Sequence, residues 1–276
     1  AARKNIEVIV TKSVKEYLEQ YRYSIEKYKI LGEVFKGELD NFPSDKRLCY
    51  EEFSNIVQSE VTRPLYNLHL RSAYYLYEMA KAANFSVPGA GKTAMILGVF
   101  AYLNRLDVQE NEKIERLLVI CPLNAFDSWK REFKLVFGDK KTLKSIDTQT
   151  SKDFNYELSV SWRVSNLILV NYESLQKYFT NLNNNIDSKT MLVFDEVHRI
   201  KNPDGIRAKK ALELSKNPKF KYVLTGTPIP NSYSDIYNFL NILYGNEYNS
   251  FFGWDTKFLI NPNLRQTREI NIKIHP

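Results

Sequence analysis

The pattern of apolar and charged positions in the first sixty residues reads as mainly helical. Val14 to Lys29 (VKEYLEQYRYSIEKYK) sets Tyr and Leu at helical spacing, the pattern of an amphipathic helix. Asn41-Phe42-Pro43-Ser44 breaks it. A second helical stretch, Leu65 to Ala83, is dense in Tyr and Leu, and its aromatic stripe is read as core. Beyond it the pattern changes to short unbroken apolar runs: Leu117–Cys121, Leu167–Val170, Met191–Phe194 and Tyr222–Leu224. Each predicts a strand buried on both faces, with helices between most of them. That alternation predicts an α/β domain with a mostly parallel central sheet flanked by helices, preceded by a mainly helical N-terminal segment. No internal repeat or low-complexity tract is evident.

In such sheets ligands gather at the carboxyl ends of the strands, so the residues that follow each run carry the chemistry. They are Pro122-Leu123-Asn124, Asn171-Tyr172-Glu173, Asp195-Glu196-Val197-His198 and Thr225-Gly226-Thr227-Pro228. A separate loop, Ser86-Val87-Pro88-Gly89-Ala90-Gly91-Lys92-Thr93, runs into the apolar stretch Ala94 to Leu103. Gly89 and Gly91 let backbone N–H groups approach phosphate oxygens with no Cβ in the way, and a following helix N-terminus adds donors and partial positive charge. Pro88 to Thr93 therefore read as a nucleotide-phosphate cradle. In it Lys92 reaches the β- and γ-phosphates of ATP, and the Thr93 hydroxyl binds Mg2+. Ser86 stands where the full phosphate-loop pattern has its first glycine.

Asp195 and Glu196 supply two carboxylates at the end of a buried run. Beside a phosphate loop, Asp195 would hold Mg2+, directly or through water, and Glu196 would orient and deprotonate the attacking water. Alone, an Asp-Glu pair is an ordinary surface turn; 102 residues after Thr93 it is the expected second half of an ATP site. Thr225 and Thr227 are placed to hydrogen-bond a neighbouring carboxylate or His198.

Composition narrows the setting. The chain has 276 residues, 43% of them hydrophobic, enough to bury a substantial core. Its longest apolar stretch, Met95 to Leu103, falls well short of the roughly 20 residues a membrane-spanning helix needs. No secretory signal pattern opens the chain, so no membrane partner is expected. It begins with Ala1, as a fragment or processed chain would. Cys49 and Cys121, with three histidines, fit neither a zinc site nor a disulfide framework. Both cysteines are expected to be buried small hydrophobes in a reducing compartment. Net charge is +7, and the segment Arg199 to Lys221 alone holds eight basic residues against two acidic ones. Lys130, Arg131, Lys134, Lys140, Lys141 and Lys144 form an earlier cluster. Phosphate contacts to a polyanion would explain such runs, and so would a solvated lysine-rich face.

The motifs taken together resemble the N-terminal RecA-like lobe of superfamily 2 helicase-like ATPases, and in detail the Swi/Snf-related branch. DEVHRIKNPDG (195–205) is similar to that family's DEGH-RIKN signature, and YVLTGTPIPNSYSDIYNFLNIL (222–243) to its LTGTP box with the following Leu-rich helix. LLVICPLNAFDSWKREFKLVFG (117–138) resembles its strand-Pro-Trp-Glu-Phe block, and NLILVNYESL (166–175) its strand ending in Thr-Tyr-Glu. The resemblance covers roughly residues 61–260. It implies a RecA-like lobe at 61–245, a helical extension at 1–60, and the start of a connection at 246–276 towards a second RecA-like lobe.

By the same resemblance Lys92, Thr93, Asp195 and Glu196 form the ATP and Mg2+ site, and His198 with Thr225-Gly226-Thr227 couples nucleotide state to DNA movement. Pro122, Asn124 and the Asn171-Tyr172 turn lie where the family's lobe touches the nucleic-acid backbone. Lys201 and Lys130 are further candidates, and Trp129 is expected to be a packing anchor. The implied partners are double-stranded DNA, the second lobe and other proteins. The implied location is the nucleus in a eukaryote, or the nucleoid-bearing cytoplasm in a bacterial or viral setting. Only 49 residues follow Thr227, so weak or absent turnover is expected of this lobe by itself. The family's adenine-reading Gln is not evident, with Asn67 or His69 near its place, and Val197 replaces the usual Gly or Ala. Two other readings use the same residues: a lone lobe that docks DNA or a partner without hydrolysis, and an oligomeric ring ATPase.

Overall fold

Strands β1 (Lys81–Asn84), β2 (Arg116–Cys121), β3 (Ser145–Asp147), β4 (Leu167–Asn171), β5 (Thr190–Asp195) and β6 (Lys221–Leu224) pair in the order β1-β6-β5-β2-β4-β3. Every pairing is parallel. This computed structural model describes residues 42–202, 205–229 and 236–251, with short stretches between 11 and 35. Of the predicted helix Val14–Lys29, the described residues 14–16, 18–19 and 22–23 are helical and the rest lie outside the described residues, as do residues 252–276 of the predicted connection.

The four apolar runs all become strands, and successive side chains go to opposite faces. Leu117, Val119 and Cys121 of β2 join one core with Met191, Val193, Tyr222 and Leu224, under helices α1 (Ser44–Glu60), α2 (Asn67–Met79), α3 (Lys92–Leu103) and α4 (Phe126–Phe137). Leu118 and Ile120 join the other with Ile168, Val170, Leu192, Phe194 and Val223, under α5 (Phe154–Ser161), α6 (Leu175–Asn185), α7 (Ile206–Leu214) and α8 (Tyr237–Phe251). This is the predicted α/β architecture, a parallel sheet with helices on both faces. Helix α3 is apolar almost all round, with nine of its residues buried, because α1, α2 and α4 enclose it against the sheet. At Gly98 a Cβ would stand 3.0 Å from Leu65 Cδ1 and 3.1 Å from Ala73 Cβ, so glycine permits the close packing there. Tyr50, Phe53 and Val57 of α1 are buried in this same core.

Three expectations are corrected. The helix predicted over 65–83 ends at Met79: Ala80 turns left-handed (φ 57°), its N–H closing on the Leu76 and Tyr77 carbonyls, and the chain re-enters the sheet as β1. Two strands beyond the predicted four therefore exist, β1 (KAAN) and β3 (SID), both short edge strands. Cys49 is exposed on the outer face of α1, whereas Cys121 is buried as expected.

A candidate nucleotide site at the carboxyl ends of the strands

Beyond β1 the chain forms the glycine loop. Asn84 Oδ1 accepts the Ser86 N–H at 3.0 Å, Ala90 N–H bonds the Val87 carbonyl at 3.2 Å, and Gly89 and Gly91 take positive φ of 83° and 80°. Gly91 caps α3, so the loop ends on a helix N-terminus. A Cβ at Gly91 would land in the His69 ring, so glycine is needed there twice over, for φ and for space. Burial lowers the pKa of His69, and the Arg63 charge adds to this against a bond to the Ala90 backbone. Lys92 Nζ donates to the carbonyls of Ser86 (2.9 Å) and Val87 (3.3 Å), within its own loop.

Two strands away, β5 ends on Asp195. Its Oδ1 accepts the Glu196 N–H at 3.0 Å, its Oδ2 accepts the Trp129 indole N–H at 2.9 Å, and its carbonyl accepts the Tyr172 hydroxyl at 2.8 Å. Burial raises the Asp195 pKa, with the neighbouring Glu196 charge adding to it and Trp129 and Lys92 opposing. Glu196 adopts a left-handed backbone (φ 51°, ψ 50°), unusual for a residue with a side chain and of the kind found at functional sites. That turn swings its carboxylate to His198 Nδ1 (3.2 Å) and the Thr225 hydroxyl (3.4 Å). His198 Nδ1 also lies 3.1 Å from Thr225 Oγ1, which in turn accepts the Thr227 N–H at 3.1 Å. The sequence set both Thr225 and Thr227 against a carboxylate or His198; Thr225 meets both, whereas Thr227 is exposed and bonds Thr225 through its backbone N–H. Gly226 presses on the glycine loop: a Cβ there would sit 2.8 Å from Pro88 Cδ.

A cleft of about 380 Å3 is lined by Thr93, Asp195, Glu196 and His198, with Pro122 and Asn124 in its wall. A second cavity, of about 420 Å3 between α2 and the outer side of β1, takes in none of the predicted site residues. The donors in the first cleft fit Mg2+: the Thr93 hydroxyl and the Asp195 carboxylate are hard oxygens of the kind that bind it together with substrate phosphates. Among the described residues no group of three or more His, Cys, Asp or Glu is placed to hold a metal ion.

The predicted nucleic-acid residues divide. Asn124 is exposed and Lys201 half-buried. The side chains of Asn171 and Tyr172 face inward. Tyr172 is fully buried beneath Asp195, and Asn171 exchanges hydrogen bonds with Thr148 (2.8 Å) and Glu173 (3.0 Å). Pro122 is buried as well. Lys130 is committed to Asp147 at 2.6 Å. The basic run 199–221 is not one patch. Arg199 and Arg207 flank Glu173 near the carboxyl ends of the strands, at 3.8 and 3.5 Å. Helix α7 then carries the chain back to the opposite end, where Lys216 pairs with Glu213, Lys219 with Glu112, and Lys221 is buried.

Sequence reasoning missed the links from Trp129 and Tyr172 to Asp195. The Trp-containing block was visible, but its partner lies 66 residues away.

A sequence profile of the SNF2-related domain matches residues 86–275. The chain is 27% identical over 153 residues to the DNA repair and recombination protein RDH54 of Saccharomyces cerevisiae, covering 53% of this chain and 16% of that protein. It is 30% identical over 162 residues to the DNA repair protein rhp54 of Schizosaccharomyces pombe (55% and 18%). It is 28% identical over 169 residues to a Bos taurus SWI/SNF-related, matrix-associated, actin-dependent regulator of chromatin (59% and 15%). The matched part spans about a sixth of the length of these relatives. Among solved structures, the Sulfolobus solfataricus SWI2/SNF2 ATPase core in complex with double-stranded DNA shares the fold, with a TM-score of 0.63, 23% identity, and coverage of 79% of this chain and 44% of that one. With more than half its length matched by the family profile, and with that fold, the chain belongs to the SNF2-related domain family.

Proposed function

We propose that this chain is the ATP-binding first lobe of a Swi/Snf-type DNA-dependent ATPase that translocates on double-stranded DNA and couples hydrolysis to remodelling of DNA or of proteins bound to it. The observation that carries the reading is the single cleft shared by Thr93, at the end of the glycine loop, with the Asp195-Glu196 pair. The loop amides and Lys92 bind the phosphates of ATP, Thr93 and Asp195 hold Mg2+, and Glu196 takes the proton of the attacking water. Held there, Mg2+ would supply neutralisation of the negative charge on the ATP phosphates. His198 and Thr225 grip the Glu196 carboxylate, so any shift of the 225–227 turn moves the base, and Gly226 against Pro88 ties that turn to the phosphate loop. This is a direct mechanical path between nucleotide state and the turn. Asn124 and Lys201 face the DNA backbone. A second RecA-like lobe brings the arginines that complete the transition-state charge, so this lobe alone turns over weakly. In a eukaryote it works in the nucleus.

The test is ATP hydrolysis with and without duplex DNA, by this chain alone and with a second lobe joined to it. Stimulation by DNA only in the two-lobed protein is expected. Lys92→Ala should abolish nucleotide binding, and unchanged ATP affinity in that variant would remove the loop from the site. Silence of the two-lobed protein with duplex DNA present would overturn the motor in favour of a DNA- or partner-docking module.

A further inference from the structure

The indole of Trp129 is 1% exposed and is locked in the core by its place on α4, in one stripe with Phe126, Phe133, Val136 and Phe137. Packing alone would leave the direction of its N–H indifferent. The indole of Trp162, also buried, shows this: its N–H makes no hydrogen bond with any described residue. The N–H of Trp129 instead points out of the core and ends 2.9 Å from Asp195 Oδ2. Among the described residues it is the one side-chain donor on that carboxylate; the other donor is the backbone N–H of Glu196, at Oδ1. Two donors, one on each oxygen, fix the rotation of the carboxylate about its last bond. Each oxygen keeps a lone-pair position free to face the cleft.

We propose that Trp129 is a positioning residue for metal binding: the core-anchored indole N–H holds the Asp195 carboxylate in the orientation that accepts Mg2+. The inference rests on the reading of Asp195 as the Mg2+ ligand. Ligating carboxylates are themselves hydrogen-bonded, and loss of such an outer partner typically lowers metal affinity about 10–100-fold. The core supplies the rigidity, since an indole buried in the core cluster cannot follow the carboxylate if it rotates.

Trp129→Phe keeps the ring in the core and deletes the N–H. The experiment is an equilibrium titration of a fluorescent ATP analogue onto the 276-residue chain at graded Mg2+, with a parallel titration in EDTA. In the variant we expect the Mg2+ concentration at half-maximal effect to rise about tenfold. Metal-free affinity should stay within about twofold of wild type. A purely packing role would weaken both titrations alike or neither, and an unchanged Mg2+ midpoint overturns the proposal. Failure of the wild type to bind the analogue at any Mg2+ concentration would overturn the nucleotide-site reading itself, a result distinct from a wild type and variant that bind identically. Should Trp129→Phe not fold, the wild type carries the test. Its Trp129 indole N–H resonance, assigned with Trp162→Phe and Trp254→Phe, shifts as Mg2+ is added to the ADP-bound chain; a resonance that stays still overturns the proposal.

Discussion

Arg116, at the amino end of β2, and Asp195, at the carboxyl end of neighbouring β5, are both charged groups set into the core sheet, and they are handled in opposite ways. Arg116 is 2% exposed and meets Asp187 through two 3.1 Å bonds and Glu115 through a third, while Lys189 ties Glu115 to Glu110. Its charge is neutralised on the spot. Asp195 receives an indole and a backbone amide, and no described cation hydrogen-bonds it. Burial and the adjacent Glu196 push its pKa up. The amino end of the sheet spends its charges on holding the strands together. The carboxyl end leaves its carboxylate with neutral donors alone among the described hydrogen-bond partners, the arrangement that the proposed Mg2+ role of Asp195 requires.

The sharpest way to break this comparison is chemical. Glu196→Gln keeps a side chain that Thr225 and His198 can still bond but removes the base. Hydrolysis by the two-lobed protein should fall by about 10^2–10^4-fold with ATP-analogue affinity retained. Hydrolysis within a few-fold of wild type would move the base elsewhere.

Next comes a matched pair read by thermal melting and by Mg2+-dependent nucleotide binding. Arg116→Ala should cost about 2–3 kcal/mol, below the range for a fully buried pair because Asp187 and Glu115 stay partly in water, and should leave nucleotide binding unchanged. Asp195→Asn keeps an acceptor for Trp129 and should do the reverse. A carboxyl whose folded pKa is raised disfavours folding at pH 7, and removing that cost offsets the Glu196 N–H bond that the amide nitrogen cannot accept, so the Asn variant should melt close to wild type while losing Mg2+-dependent binding. Equal destabilisation by both would erase the contrast.

The smallest effect sharpens the amino-end picture. Lys221 donates to the Ser215 carbonyl at 2.5 Å, and burial, with Lys81 nearby, lowers its pKa from 10.5 to about 8. Between those values the unfolded chain binds more protons than the folded one, so this lysine makes stability rise with pH across that window. Urea denaturation at pH 7.5 and 9.5 should show wild type gaining about 1–2 kcal/mol relative to Lys221→Met. Parallel behaviour of the two proteins would mean that Lys221 is better solvated than its surroundings suggest.

What the sequence made legible follows from which forces act locally. The strands β2, β4, β5 and β6 announce themselves because both faces are buried, and the GAGKT loop because backbone geometry demands its glycines. Strand β1 is hidden for the complementary reason. KAAN has no apolar run of its own, and it is a strand because Lys81 to Asn84 pair with Lys221 to Leu224 after a left-handed Ala80 that no glycine or proline advertises. The inward facing of Asn171 and Tyr172 was not legible, because it depends on partners that only the fold supplies: the Asp195 carbonyl accepts the Tyr172 hydroxyl, and the Thr148 hydroxyl donates to Asn171 Oδ1. Trp129 was correctly read as a packing residue, but its N–H is assigned by a contact that only the folded sheet creates. The charge run 199–221 looked continuous because sequence has no ends, whereas the sheet separates it into two.

The outward-facing Cys49 has a practical consequence. Of the two thiols, Cys121 is buried with its pKa raised by that burial and by Asp195, so it offers little thiolate to an alkylating reagent. A maleimide dye should therefore mark α1 at a single position without any substitution, on a helix whose inner face shares its core with α3, the helix that begins at the glycine loop.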